Sequence, residues 1–177
     1  MLAAVLGAAL VVSGVGLIAP AGAQTTAPSL LNCATTSYRL LFWPTGHGVV
    51  KSQKFPEYKT PHVELYGGTG KRFEQTEYLA YVDATGANQR AATCAPGAIT
   101  GSSGGAVPAA NLVKSTKPTV LSCSAPSSSV LLVPNAQGKA LLSVIVTGQS
   151  VAAASMAPTG SELQYDKSLC KPAKVPK

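Results

Sequence analysis

LNCATTSYRLLFWPTGHG (residues 31–48) and LSCSAPSSSVLLVPNAQG (residues 121–138) align without a gap at a shift of 90 residues. Leu31 meets Leu121, Cys33 meets Cys123, Ser37 meets Ser127, Leu41 meets Leu131, Pro44 meets Pro134 and Gly48 meets Gly138. Leu40 opposite Val130 and Phe42 opposite Leu132 are conservative pairs. Self-similarity over a long period is the mark of a repeated structural unit. Each unit also ends at a cysteine, ATGANQRAATC at Cys94 and PTGSELQYDKSLC at Cys170. Four cysteines allow three pairings. The repeat selects Cys33–Cys94 with Cys123–Cys170, each tying the first strand of a unit to its last.

Outward from these segments, short β-branched and aromatic runs alternate with turn residues, which is the pattern of an all-β chain. Expected strands are Tyr38–Trp43, Gly48–Ser52, Pro61–Tyr66 and Phe73–Asp83 in the first half. In the second they are Pro118–Ser122, Ser129–Val133, Lys139–Thr147 and Glu162–Tyr165, with Val151–Met156 the one stretch of doubtful helical pattern. The fold expected is two small, disulfide-tied, sandwich-like modules in tandem, with one interleaved β-sandwich as the alternative. Residues 24–97 form the first module and 118–170 the second. Residues 98–117, rich in Gly, Ser, Ala and Pro, read as a linker, and 171–177 as a basic tail.

The first 23 residues carry no charge and 17 of them are apolar, ending in Ala21-Gly22-Ala23. A short apolar run closed by small residues is the form of a secretory signal peptide, with Gln24 as the first residue after cleavage. A retained membrane anchor is the competing reading, and the only membrane association expected. Export to the extracellular space or cell envelope also suits the paired cysteines.

All 21 charged side chains lie beyond residue 38. Through Pro96 there are seven basic and five acidic residues, and after it seven and two, so the second half holds +5 of the net +7. In an exported chain that excess favours anionic envelope polymers, glycans or acidic protein partners. Nucleic acid is not expected.

Nine of the ten aromatic residues lie in the first half. Lys54, Phe55, Tyr58, Lys59, His62 and Tyr66 fall in or beside KSQKFPEYKTPHVELYGG, where lysines interleave with rings. Rings and cations together stack on sugars and attract anions, so these six are the candidate ligand-binding residues. His62, Glu64 and Tyr66 alternate with Val63 and Leu65, which places the polar three on one strand face.

Signals for catalysis are weak. Gly101-Ser102-Ser103-Gly104-Gly105 matches G-x-S-x-G, yet its flanks lack the strand and helix that a nucleophile elbow needs. His47, Asp83 and Ser103 make a triad in composition only. The cysteines lack C-x-x-C spacing, His62 lacks an evident set of companion ligands, and neither metal nor cofactor is expected. Thr93-Cys94-Ala95-Pro96-Gly97 is similar to a segment of small secreted protease inhibitors of the subtilisin-inhibitor type, although their nearby second Cys is missing here. The function expected is therefore non-catalytic binding. A small secreted protease inhibitor, its reactive loop at Lys51–Pro61 or in the Gly-Ser stretch, is the alternative.

Overall fold

A computed structural model of the chain describes residues 24–25, 27–47, 61–68, 77–83, 86–89, 94–100, 104–124, 128–136, 138–157 and 159–174. Fourteen strands account for most of them. The first half supplies β1 (Gln24–Thr25), β2 (Ser29–Cys33), β3 (Ser37–Trp43), β4 (His62–Gly67), β5 (Glu77–Asp83), β6 (Gly86–Gln89) and β7 (Cys94–Gly97). The second supplies β8 (Leu112–Ser115), β9 (Thr119–Ser124), β10 (Ser128–Ala136), β11 (Lys139–Val146), β12 (Gln149–Met156), β13 (Glu162–Asp166) and β14 (Cys170–Ala173). No helix among the described residues is long and apolar enough to cross a membrane. The expectation of an all-β chain holds. The expected strand Gly48–Ser52 lies outside the described residues.

The strands form two antiparallel seven-stranded sheets, ordered β1-β6-β5-β4-β3-β9-β14 and β7-β2-β10-β11-β12-β13-β8. Exchanging every strand of the first sheet for the one seven places away along the chain reproduces the order of the second. Two pairings join strands of the first half to strands of the second. β2 pairs with β10 from Cys33↔Ser128 to Ser29↔Leu132, and β3 with β9 from Ser37↔Ser124 to Phe42↔Thr119.

One apolar cluster lies between the sheets. It takes Leu40, Phe42, Leu65, Val82 and Leu121 from the first and Leu132, Leu142, Val144 and Leu163 from the second. Positions matched by the 90-residue shift share this environment, since Leu40, Phe42, Val130 and Leu132 are all 0 % exposed. Tyr38 is buried as well, and its hydroxyl donates to the Thr35 carbonyl at 2.9 Å. Burial pushes its pKa up to about 12, so it remains a donor at any ordinary pH.

Both expected disulfides are present, Cys33–Cys94 and Cys123–Cys170. Each joins directly opposed residues of neighbouring strands, β2 with β7 and β9 with β14. Among the described residues β7 and β14 are edge strands, and each reads Cys-x-Pro: Cys94-Ala95-Pro96 and Cys170-Lys171-Pro172. Proline lacks the N–H that an incoming strand would use, so it blunts an exposed edge. The disulfide holds the short strand in place while the proline discourages further pairing.

Within the stretch read as a linker, described residues are tied to the second half. Gly105 N–H donates to the Gly148 carbonyl and Ser150 N–H to the Gly105 carbonyl, each at 2.9 Å, which straps this segment onto the β11–β12 hairpin. Gly104 has φ +94°, and a Cβ there would lie 3.1 Å from Ile145 Cδ1, so glycine suits it on both counts. A 3-10 turn at Ala109–Asn111 follows, and Leu112–Ser115 then enter the second sheet as β8. Val151–Met156, the doubtful helical stretch, is strand within β12. Its Ala-rich composition hides a burial pattern set by pairing with β11 and β13.

Asp166 ties the return from β13 to β14. Its Oδ1 accepts from the Ser168 N–H (2.8 Å) and hydroxyl (2.6 Å), and Oδ2 from the Asn111 amide (3.5 Å). Burial alone would raise its pKa, but these bonds and the charge of Lys167 outweigh it and hold the carboxyl below its ordinary value. A depressed carboxyl stabilises the fold above its unfolded-state pKa of about 3.9 and loses that contribution as pH falls through the folded value. Asp166→Asn is thus expected to lower stability at pH 7 by about 1–2 kcal/mol, the margin by which hydrogen bonds to a charged group exceed neutral ones. Urea denaturation at pH 7 and pH 3 checks this. The deficit should shrink at the lower pH, and parallel curves would assign the acid sensitivity elsewhere.

Candidate functional site

The face of the first sheet turned away from the shared core holds two of the six candidate residues, His62 and Tyr66. The strand period of two that sends Val63 and Leu65 inward sends His62, Glu64 and Tyr66 outward. Register then extends this face across the sheet. Glu64 lies opposite Tyr81 and Leu41, Leu41 opposite Val120, and Val120 opposite Ala173. In the next row Tyr66 lies opposite Tyr78 and Arg39, Arg39 opposite Ser122, and Ser122 opposite Lys171. With strands about 4.8 Å apart, the row from Tyr78 to Lys171 runs about 19 Å across five strands.

The tyrosines form one group. Tyr66 and Tyr78 meet edge to face at 5.3 Å between ring centres, and Tyr78 and Tyr81 lie tilted at 6.0 Å. A bulge between Leu65 and Tyr66 brings Tyr66 opposite Tyr78, and Tyr78 and Tyr81 are three apart in sequence. The Tyr66 hydroxyl donates to Glu64 Oε2 at 2.7 Å, while Glu64 Oε1 lies 3.7 Å from His62 Nε2. The carboxylate thus orients the phenol from below the row. Tyr66, Tyr78, Tyr81 and Arg39 are half-buried and Lys171 is exposed.

The other end of the face is closed. Leu41, Trp43 and Val120 form a small buried cluster with Tyr66 and Ala173 against it. Trp43 Nε1 is buried without an acceptor among the described residues, and the Trp43 ring meets His47 edge on at 6.5 Å. His62 is itself buried, opposite Asp83 on one side and Trp43 on the other.

Lys54, Phe55, Tyr58 and Lys59 lie outside the described residues, as do Ser103 and most of Lys51–Pro61. His47 is exposed beside Trp43, and Asp83 Oδ1 accepts from the Gly86 N–H at 3.1 Å. Among the described residues no three His, Cys, Asp or Glu side chains are grouped as a metal site would need. Arg39, Tyr78, Tyr81 and Lys171 join this face through register alone. Only the alternation within β5 hints at one of them in the sequence.

Compared with protein families, curated proteins and solved structures, the chain matches none.

Proposed function

We propose that this is an exported, non-catalytic binding protein of the cell envelope or extracellular space. It engages an acidic glycan or similar anionic polymer on the outer face of its first sheet. The observation that carries this reading is the row Tyr78–Tyr66–Arg39–Ser122–Lys171, in which a tyrosine cluster passes into cationic and hydroxyl side chains. Tyrosine faces stack on sugar rings, a guanidinium pairs with a carboxylate or sulfate in a fork, and hydroxyls exchange hydrogen bonds with sugar hydroxyls. The row crosses the strands, so a linear polymer lying along it meets these groups in succession.

Export rests on the apolar leader ending in Ala21-Gly22-Ala23 and on two disulfides, which persist in oxidising compartments. Duplication of one ancestral unit is part of the reading. It is supported by the gapless match of residues 31–48 with 121–138 and by the matching strand orders.

A glycan array of neutral and uronate- or sulfate-bearing oligosaccharides, probed with the purified chain, tests the proposal. Binding is expected to favour the acidic members and to weaken as salt rises. Arg39→Ala and Tyr66→Ala should each weaken it by roughly tenfold, the scale of one charge-assisted hydrogen bond or of a stacked ring with its hydroxyl. Equal binding by both variants, or no binding to any glycan, would remove the proposal.

A further inference from the structure

The two sheets have four edges, and they are not equally protected. β7 and β14 carry proline and a disulfide, and β1 is two residues long. β8 is different. It pairs with β13 from Leu163↔Ser115 to Asp166↔Leu112, contains no proline, and among the described residues has no strand on its other side. Its outward N–H and C=O groups therefore repeat at strand spacing with no ladder partner among those residues.

Beside this edge the sandwich opens into a cleft of about 390 Å³ between β8 and β14. Its walls include Val113 and Tyr165 from the second sheet and Pro172 and Ala173 from the first. Lys114 and Lys117 stand at its rim, both exposed. The turn that carries Lys117 is held by its own hydrogen bonds. Lys117 N–H donates to Ser115 Oγ at 3.1 Å, and Thr119 Oγ1 donates to the Lys117 carbonyl at 2.8 Å. Lys171 and Lys174 lie on and just beyond the facing β14. The second half has only two acids to set against these. Glu162 sits 3.5 Å from Lys114, and Asp166 is taken up by Ser168 and Asn111.

We propose that β8 receives an extended acidic peptide segment of a partner protein, which adds to the second sheet as a further strand. The backbone ladder supplies the affinity common to strand addition, and the cleft supplies selection. A strand beside β8 sends alternate side chains inward over Val113, Tyr165 and Pro172 and the others outward towards Lys114. The segment that fits therefore alternates apolar with acidic residues. A lysine on an edge repels a second basic edge, which disfavours self-pairing by this cationic chain and favours an acidic guest. This site shares only Lys171 with the tyrosine row, and the ladder to β8 does not depend on that row.

The probe is a capped synthetic hexapeptide of alternating Glu and Val, titrated onto the purified full chain by fluorescence anisotropy. Two N-methylated versions carry the methyl groups on the Val or on the Glu amides. Unmodified peptide should bind, one methylated version should lose at least tenfold in affinity, and the other should keep it, because only one set of amides faces β8. Lys114→Glu with Lys117→Glu should weaken binding tenfold or more, whereas Arg39→Ala with Tyr66→Ala should leave it unchanged. The methylated pair needs no protein variant, so poor folding of a mutant does not obscure the result. No binding of the unmodified peptide overturns the proposal. So does equal binding of both methylated versions, or displacement of the peptide by anionic vesicles or acidic polysaccharide as effectively as by unlabelled peptide.

Discussion

A single backbone cut beside Ile99 is expected to leave the molecule whole in native buffer and in two pieces under denaturing, non-reducing conditions. Ile99 is 49 % exposed and lies between β7 and β8, so an engineered protease site there separates the first seven strands from the last seven. Both sheets would then contain strands of both fragments, joined through β2–β10 and β3–β9. The fragments also share the apolar cluster that includes Phe42 and Leu132. A cut that leaves those contacts intact removes one covalent link and no packing. Neither disulfide crosses the cut, because Cys33–Cys94 lies wholly before it and Cys123–Cys170 wholly after it. Detergent without reductant should therefore part the fragments at once. Native size-exclusion chromatography followed by non-reducing electrophoresis reads both halves of this expectation. Fragments that elute separately in native buffer would mean two self-contained modules. Fragments that stay joined in detergent until reduced would mean crossed disulfides.

The cysteine pairing is legible in the amino-acid sequence because it rests on a local signal repeated in the chain. Each unit has a cysteine near its start and another at its end, and antiparallel pairing of the second strand of each half with its last brings them opposite one another. The all-β class is legible for the same kind of reason, since alternation within Tyr38–Trp43 or Pro61–Tyr66 is set by immediate neighbours. Partner choice between strands is not local. Nothing near Leu31 says that it pairs with Val130, and the choice between β10 and another strand is made by burial over the whole assembly. β8 is hidden within a low-complexity stretch, where four residues, Leu112–Ser115, carry too few side chains to show a period. In the candidate site, His62 and Tyr66 follow from alternation along one strand. Arg39, Tyr78 and Lys171 follow only from register, and the bulge between Leu65 and Tyr66 shifts that register by one residue. Single-strand patterns thus indicate part of the composition of the face but not its row.

Removing both disulfides together should unfold the chain, although removing either one should not. The two loops they close span 61 and 47 residues and do not overlap along the sequence. In the chain-entropy model each closure restricts the unfolded ensemble by about 4 kcal/mol. Because the loops are separate, the two contributions should nearly add, to about 8 kcal/mol, which is comparable with the whole stability of a typical domain. Cys33→Ala with Cys94→Ala, or Cys123→Ala with Cys170→Ala, should therefore fold with a lowered urea midpoint, and the quadruple variant should be largely unfolded at 25 °C. The local consequence differs from the global one. Among the described strands β14 is held in its sheet by β9 alone, so loss of Cys123–Cys170 should first loosen Cys170–Ala173, with faster amide exchange at Lys171 and Ala173 than in the core strands. The strand order predicts the same for β7 when Cys33–Cys94 is removed, at Ala95 and Gly97. A quadruple variant within about 2 kcal/mol of the parent would instead show that shared sheets and a common core hold the halves together without the bridges. In that case the disulfides would serve mainly to keep two proline-blunted edges from fraying.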